Sequence, residues 1–308
     1  MLKKINLESN EMQAYLFVHF AHGNNEEAEQ IYFSVSIDGM KWKSLNDSTP
    51  ILRSTLGEKG LRDPHIIRSA EGDKFYLIAT DLSISKNSDW TRAQTNGSKF
   101  LMIWESSDLV NWSEQRMVKI ASNNAGCTWA PESIYDKDTA NYMVFWASKV
   151  SDDNYAKQRI YCSRTRDFIG FTEAQLYIEK ENDIIDTTFI MHNSAYYRFS
   201  KDETTKSILM EVCDTLMGDF KTIDSFSLAE VQGYEGPTCY KLNGENKWCL
   251  LLDAYATGQG YKCFTTSDLA TGSFAESASE FITPYIFRHG TVIPITMKEY
   301  NDLVEAYE

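Results

Sequence analysis

Short apolar runs with strand-like alternation recur along the chain and group into repeated units. In four of these units, two strongly apolar segments follow a first strand-like run, and a further strand-like segment completes the unit. The apolar pairs are KFYLIATD with KFLMIWES, NYMVFWAS with RIYCSR, AYYRFSKD with SILMEV, and KWCLLLDA with YKCFTT. A four-stranded unit that recurs every 50 to 70 residues is typical of a β-propeller, because each blade is one four-stranded sheet.

A charged or ionisable side chain stands at the head of each unit, at spacings of 69, 54, 49 and 54 residues. The five are Asp63 in RDPHII, Glu132 in WAPESIY, Asp186 in IDTTFI, Glu235 in YEGPTCY and His289 in RHGTVI. The first strand of every propeller blade lines the central channel. We therefore expect four acids and one histidine to converge on one funnel, where mutual repulsion raises the pKa of some of the carboxyls.

The fifth unit is split between the two ends of the chain. RHGTVIPI has little chain after it, whereas AYLFVHF and IYFSVS near the N-terminus supply the strands it lacks. We predict that residues 288 to 295 form the innermost strand of a blade whose other strands come from residues 13 to 48. The prediction is an all-β, five-bladed propeller, with a short C-terminal helix that begins at a capping box of Thr296 and Glu299.

An aspartate follows each third strand, with an aromatic residue four to six positions later. We interpret these aspartates as turn formers that accept backbone N–H bonds, and the aromatic residues as packing between blades. The aspartates are Asp38, Asp108, Asp167, Asp214 and Asp268, and the aromatic residues are Trp42, Trp112, Phe171, Phe220 and Phe274.

Composition favours one soluble domain over residues 1 to 308. The chain is 43% hydrophobic and 13% aromatic, and no low-complexity linker interrupts the units. Its 44 acidic and 30 basic residues give a formal charge of −14, which repels nucleic acid and anionic membranes and favours a neutral or cationic ligand. MLKKINLESNEM has no apolar stretch behind its lysines, which argues against a signal peptide, and we expect a cytoplasmic protein. The six cysteines lack a CxxC pair and are predicted to be free thiols.

In a chain without an obvious metal-binding motif, clustered carboxylates indicate one of two kinds of site. Glycoside hydrolysis needs one carboxylic acid to protonate the leaving oxygen and one carboxylate to activate water or attack carbon. A calcium or magnesium site also uses acidic oxygens, but here the acids come one per blade and no DxDxD-like loop is present.

The ordered set RDPHI, WAPE, ID before Phe189, YEGP and RHG resembles glycoside hydrolase family 43, and the chain is most similar to its single-domain, exo-acting α-L-arabinofuranosidases. The resemblance covers nearly the whole chain. It implies a five-bladed propeller and inverting hydrolysis. It also implies that Asp63 is the general base, Glu235 the general acid, and Asp186 the third acid, which orients Glu235 and keeps it protonated. Inversion requires the base and acid carboxyls to lie about 6.5–9.5 Å apart. Asp183 is close enough in sequence to compete with Asp186.

Four more residues are candidates for substrate binding. Trp129 suits an apolar wall against the C–H groups of a sugar. Glu132 stands where related enzymes often have Asp, and either bonds a sugar hydroxyl or braces the ring of acids. Arg288 is expected to contact the substrate or an acid. His289 is expected to be hydrogen-bonded, or to hold a water or cation, since some relatives bind calcium in the channel; no cofactor is otherwise expected.

The resulting functional prediction is release of terminal α-L-arabinofuranosyl units from small neutral arabino- or arabinoxylo-oligosaccharides. A β-xylosidase acting on xylo-oligosaccharides is the alternative within the class, since the two sugars present similar hydroxyl positions. A propeller that binds glycan without cleaving it is the alternative from another class, because fold alone does not fix function. The entrance loops, which include residues 81 to 97 and 255 to 260, are expected to set linkage preference.

Overall fold

A computed structural model describes residues 12–308. The N-terminal segment that argued against a signal peptide lies largely outside these residues. The closing blade contains β1 (Met12–Ala21), β2 (Tyr32–Ser36), β3 (Lys43–Ser44) and β20 (Phe287–Thr296). Its strand order is β20-β1-β2-β3, with β20 innermost. The split blade predicted from the sequence is confirmed.

Four further four-stranded antiparallel sheets complete the ring, and the all-β, five-bladed fold is therefore confirmed. Blade 1 contains β4 (Leu61–Arg68), β5 (Phe75–Asp81), β6 (Phe100–Ser106) and β7 (Arg116–Lys119); blade 2 contains β8 (Trp129–Asp136), β9 (Asn141–Ser148), β10 (Arg159–Thr165) and β11 (Gln175–Ile178). Blade 3 contains β12 (Ile184–His192), β13 (Ala195–Asp202), β14 (Ser207–Cys213) and β15 (Lys221–Thr222); blade 4 contains β16 (Glu235–Lys241), β17 (Trp248–Asp253), β18 (Tyr261–Thr266) and β19 (Ala275–Glu276).

Helical structure is sparse. The helices are α1 (Trp90–Thr95), which lies between β5 and β6 and was not predicted, and α2 (Met297–Tyr307). Single 3-10 turns occupy Asn46–Ser48, Ser151–Asp153, Tyr255–Thr257 and Leu269–Thr271. Within residues 12–308, no helix is both long enough and apolar enough to span a membrane.

The strands differ in burial according to their place in the blade. Every residue of β5 and β17 is buried, whereas the outermost strands are partly or fully exposed. A strand covered on both faces reads as a continuous apolar run, which is why the second strands gave the strongest sequence signal. Neighbouring innermost strands contact one another around the ring.

The residues after the third strands behave largely as predicted. Asp38, Asp108, Asp167 and Asp268 accept backbone N–H bonds two or three residues ahead; the described contacts show no such bond for Asp214. Four of the aromatic partners pack in or against the cores between blades, as Trp42 does beside Tyr240 of blade 4. Phe220 instead lies against Phe189 and Arg198 of its own blade. All six cysteines are free thiols, as predicted.

Helix α2 covers the closure of the ring. Its capping box is present, with the Thr296 hydroxyl accepting from the Glu299 amide and the Glu299 carboxylate accepting from the Thr296 amide. The same carboxylate accepts two hydrogen bonds from Arg68 of blade 1, at 2.7 and 2.8 Å. Leu303, a residue of this helix, is fully buried. Glu299 therefore ties the last helix to both the closing blade and its neighbour.

We expect Glu299→Ala to lower the free energy of unfolding by about 1–3 kcal/mol, because it removes a helix cap and a partly buried, bidentate ion pair. Urea unfolding followed by fluorescence measures the change. Lys298→Ala is the matched control, since the Lys298 side chain is 82% exposed. Equal losses from the two variants would contradict the role given to Glu299.

Candidate active site

One β-bulge in each innermost strand sets the geometry of the channel mouth. Each of these strands has one more residue than its partner strand at the same level. The bulges fall between Arg62 and His65, Trp129 and Glu132, Ile185 and Thr188, Glu235 and Thr238, and Phe287 and Gly290. A bulge bends its strand and re-aims side chains, and here it directs them into the mouth.

The bulged residues of blades 1 to 4 share a left-handed backbone. They are Asp63 (φ 49°), Ala130 (φ 46°), Asp186 (φ 50°) and Gly236 (φ 54°). A non-glycine residue in this region costs of order 1–3 kcal/mol and persists where the surroundings enforce it. At Gly236 a side chain is also excluded, since a Cβ atom there would lie 2.6 Å from Cγ of His289.

This register corrects the alignment inferred from the sequence. Asp63 and Asp186 occupy equivalent positions, but Glu235 lies one residue before the bulged position and Glu132 lies two residues after it. The extra residue of a bulge is invisible to an alignment based on apolar runs. As a result Glu235 reaches the mouth, whereas Glu132 lies at the level of His65 and Thr188, deeper in the channel.

Asp63 lies in surroundings that favour its ionised form. Its Oδ2 accepts a hydrogen bond from Oγ1 of Thr80 at 3.0 Å, and its Oδ1 lies 3.4 Å from Nδ1 of His289. Burial disfavours the charge, but His289, Arg62 and Thr80 outweigh it and hold the pKa of Asp63 below its ordinary value. Thr80 is fixed in turn, because its oxygen accepts from the Ala130 amide at 2.9 Å.

Asp186 has the opposite bias. Burial raises its pKa to about 6, with further contributions from the neighbouring charges of Glu235 and Asp63, while His289 and Lys201 partly offset the effect. Its Oδ2 accepts a hydrogen bond from the Gly236 amide at 3.0 Å. The competing Asp183 has a different role, since its Oδ1 accepts from the Gln158 amide at 2.6 Å.

Glu235 is held between two cations, one on each carboxyl oxygen. Oε2 accepts from Nζ of Lys201 at 2.9 Å, and Oε1 accepts from Nη2 of Arg288 at 3.0 Å. Arg288 is itself oriented by Asp253, whose Oδ2 accepts from Nε at 2.6 Å. Asp253 is fully buried and its Oδ1 has no partner among the described residues; burial raises its pKa to about 6 despite the guanidinium beside it.

Lys201 is a buried cation inside blade 3. Only 2% of its side chain is exposed, and its ammonium also lies 2.6 Å from Glu203 and 4.2 Å from the ring centroid of Tyr255. Burial lowers the pKa of a lysine, but the carboxylates of Glu235, Asp186 and Glu203 outweigh that and raise it. An isolated lysine in this position would be costly, so the acids and the lysine stabilise one another.

One cavity of about 930 Å³ joins these groups at the mouth of the channel. The predicted site residues that line it are Asp63, Trp129, Asp186, Glu235, Arg288 and His289. The structure therefore brings together six of the seven predicted residues. Glu132 is the exception and is not among the lining residues.

Glu132 belongs to a polar network below the site. Its Oε2 accepts a hydrogen bond from Thr188 at 2.8 Å, and burial raises its pKa to about 8. His65 lies 3.7 Å away, but burial lowers its pKa to about 3, so this contact joins neutral groups at neutral pH. This placement favours the bracing role over contact with a sugar.

Carboxylates around His289 determine the charge of its ring. Burial lowers the pKa of His289, but the carboxylates of Asp186, Asp63 and Glu132 outweigh it and raise the pKa to about 9. Within residues 12–308, no group of three or more His, Cys, Asp or Glu side chains is arranged to hold a metal.

Three contributors were not found from the sequence. Thr80 lies on the second strand of blade 1, Lys201 on the second strand of blade 3, and Asp253 at the end of the second strand of blade 4. A lysine within the strand-like segment AYYRFSKD was the one available signal. All three residues lie on second strands, which pair with the first strands that carry most of the predicted site residues. The motifs at the heads of the first strands therefore did not reveal them.

A family model and one curated relative match most of this chain. A family model of the glycosyl hydrolase 43-related type, described as "Probable glycosyl hydrolase domain", matches residues 10–301. An α-L-arabinofuranosidase of Bifidobacterium longum subsp. longum is 32% identical in an alignment 275 residues long that covers 75% of this chain and 25% of that protein. The chain thus spans about a quarter of the length of this relative.

Solved structures share the fold at low sequence identity. A mutant of the family 43 protein BlXynB from Bacillus licheniformis matches with a TM-score of 0.60 at 14% identity, over 92% of this chain and 55% of that one. The catalytic domain of a family 62 α-L-arabinofuranosidase from Coprinopsis cinerea matches at 0.52 and 15% identity, over 72% and 68%. An exo-β-1,3-galactanase from Phanerochaete chrysosporium matches at 0.52 and 18%, over 70% and 49%. From the match over residues 10–301, the chain belongs to the glycosyl hydrolase 43-related family.

Proposed function

We propose that this protein removes terminal α-L-arabinofuranosyl units from arabino- or arabinoxylo-oligosaccharides, by hydrolysis with inversion. The observation that carries the proposal is the meeting of Asp63, Asp186 and Glu235, from three separate blades, in one cavity. The choice of sugar is supported by the arabinofuranosidase that is 32% identical. The solved structures share only the fold and do not favour galactose or xylose.

Asp63 has the properties of a general base. It is ionised at neutral pH, because its pKa is lowered, and it lines the cavity. In the proposed reaction its carboxylate removes a proton from water while the water oxygen attacks the anomeric carbon. His289 and Thr80 hold the carboxylate in place, so the orientation exists before substrate binds.

Glu235 is the proposed general acid, and gives its proton to the departing glycosidic oxygen. Asp186, the proposed third acid, lies beside it: burial raises the pKa of Asp186 to about 6, and its Oδ2 accepts from the amide of Gly236, the residue after Glu235. Lys201 and Arg288 fix the two carboxyl oxygens. After donation Glu235 is an anion between two cations, which stabilises the product state of the proton transfer. Because the attacking water needs space between the base and the acid, we expect the Asp63 and Glu235 carboxyls to lie about 6.5–9.5 Å apart.

Replacing either partner by its amide tests these roles. We expect Asp63→Asn and Glu235→Gln each to lower kcat by about 10²–10⁴-fold, the usual contribution of general acid–base catalysis. Initial rates with 4-nitrophenyl α-L-arabinofuranoside measure the loss. Oligosaccharide binding to Glu235→Gln should persist, because the amide keeps the shape of the side chain.

Asp183→Asn is the control for this pair of variants. Asp183 lies on the same segment as Asp186 but bonds the Gln158 amide, and it is not among the residues that line the cavity. Its variant should retain most of the wild-type rate. Turnover in Glu235→Gln at the wild-type level would rule out Glu235 as the general acid. Wild-type protein that binds an oligosaccharide without turnover would favour a propeller that only binds glycan.

Sugar preference and stereochemistry are tested together. We expect kcat/KM for the α-L-arabinofuranoside to exceed that for the β-D-xylopyranoside by at least about tenfold, since a pocket shaped to one sugar leaves polar groups unpaired with the other. NMR of the first product formed should show the inverted anomer. A preference for the xyloside would replace the arabinofuranosidase with a β-xylosidase, and a retained anomer would contradict the assignment of Asp63 as base.

The raised pKa of His289 predicts a pH dependence of stability. Its pKa rises from 6.5 in the unfolded chain to about 9 in the fold, so the native state binds more protons in this interval. Its stabilising contribution is complete below pH 6.5 and is lost as pH rises through about 9. Burial raises the pKa of Glu132 from 4.5 to about 8, so the native state again binds more protons than the unfolded chain. Stability therefore also falls as pH rises between these two values. The free energy of unfolding should fall by up to about 1.4 kcal/mol per pH unit for each group.

Urea unfolding between pH 6.5 and 9 measures this slope. We expect His289→Gln to flatten it, and Glu132→Gln, which mimics the protonated carboxyl, to flatten it in part. His192→Gln is the control, because His192 is partly exposed and does not line the cavity. A wild-type slope that both site variants retain would contradict the charge states assigned here.

A further inference from the structure

An insertion in blade 1 forms one wall of the cavity entrance. The connection from β5 to β6 spans residues 82–99, whereas the equivalent connections span 149–158, 203–206 and 254–260. It carries helix α1, on which Trp90 and Gln94 both line the cavity. Residues four apart lie on the same face of a helix. The insertion therefore presents an aromatic ring and an amide side by side to the same space.

The insertion is fixed on both sides of α1. On its N-terminal side, buried Glu29 accepts hydrogen bonds from the Ile84 amide at 2.9 Å and from the hydroxyls of Ser83 and Ser85 at 2.9 and 2.8 Å. Within α1, Arg92 forms a two-pronged ion pair with Glu58. Trp90 is thus carried by a segment held through charged and buried partners.

The C-terminal side of α1 is held by backbone packing. The Gly97 amide donates to the Gly126 carbonyl at 2.7 Å, and a Cβ atom on Gly97 would lie 2.4 Å from the Ala93 carbonyl oxygen. Ala93 itself is fully buried. The position of Trp90 relative to the catalytic acids is therefore set before any ligand arrives.

Trp90 is 47% exposed despite this anchoring. Its ring lies edge to face with that of Trp129, with centroids 6.0 Å apart and planes at 84°. The two rings form a corner, and both line the cavity. Aromatic faces suit the C–H surfaces of sugars, and two perpendicular rings offer surfaces to two different sugar units.

The size of the cavity also exceeds what one terminal sugar needs. Its volume of about 930 Å³ is near the upper end of the range of about 300–1,000 Å³ that encloses drug-sized ligands. A single pentosyl unit is much smaller. The acids occupy the channel end of the cavity, so the remaining space lies toward the entrance, beside Trp90.

We propose that Trp90 and Gln94 form a binding subsite for the sugar that carries the leaving oxygen, with the ring stacked on Trp90 and a hydroxyl bonded to Gln94. This inference rests on the proposed function, because the hydrolysis defines which sugar carries the leaving oxygen. Binding of a sugar at the subsite can be measured without hydrolysis. The subsite makes the enzyme selective for oligosaccharides over simple glycosides. Stacking on Trp90 adds affinity for the second sugar unit of the substrate, and the acids cleave the glycosidic bond.

The kinetic test compares two substrates in each variant. One is methyl α-L-arabinofuranoside, whose leaving group is too small to stack, and the other is an arabinofuranosyl-containing oligosaccharide. Trp90→Ala should lower the ratio of kcat/KM for the oligosaccharide to that for the methyl glycoside by about tenfold, the loss expected from about 1.4 kcal/mol of stacking. Trp90→Phe, which keeps a ring, should restore most of the ratio. An unchanged ratio in Trp90→Ala overturns the proposal.

The binding test does not require turnover. Calorimetric titration of the protein with arabinobiose, xylobiose and β-1,3-galactobiose should detect at least one ligand, with a Kd about tenfold weaker in Trp90→Ala. Met217→Ala is the control, since Met217 is 54% exposed and lies outside the cavity. If no disaccharide binds, or if Trp90→Ala binds as wild type does, the subsite is disproved. Failure of the hydrolase proposal would appear separately, as wild-type protein that binds a disaccharide but cleaves neither substrate.

Discussion

The extra residue in each innermost strand is the constraint on which the site depends. A regular strand would alternate its side chains between the two faces of the blade. The bulge breaks that alternation at the same level in all five blades, and in four of them it does so with a left-handed residue. Asp63 and Asp186 are such residues themselves. Backbone strain therefore coincides with placement at the cavity, which is consistent with strain that the surrounding propeller enforces.

Charge balance is the second organising factor. Asp63, Asp186, Glu235 and Asp253 would repel one another in a partly buried space, and Lys201, Arg288 and His289 are interleaved among them. Every one of these cations contacts at least one acid. The arrangement separates the acids by environment: Asp63 is ionised more readily than usual and Asp186 less readily. Such a divergence between neighbouring carboxyls is typical of acid–base sites.

Much of the fold could be predicted because propeller blades repeat. The apolar second and third strands fixed the number of blades and the split closing blade. Helix α1 escaped prediction, because six residues are too few to show helical periodicity and its stability comes from Arg92 and Glu58. The level of Glu132 was misplaced by two residues, since a bulge leaves no trace in hydrophobicity. Asp253 could not be singled out, because an aspartate also ends the second strand of two other blades. Those residues, Asp81 and Asp202, accept hydrogen bonds from backbone amides of loops.

The split blade has a consequence for the charges at the cavity. Arg288 and His289 belong to β20, which is the last strand along the sequence but pairs with β1, the first one described. Blades 1 to 4 therefore contain neither of these cations. Without β20, Asp63 lacks the contact with His289, and Glu235 keeps Lys201 but lacks Arg288. Electrostatic completion of the cavity thus requires the pairing of the two strands that lie farthest apart along the described chain.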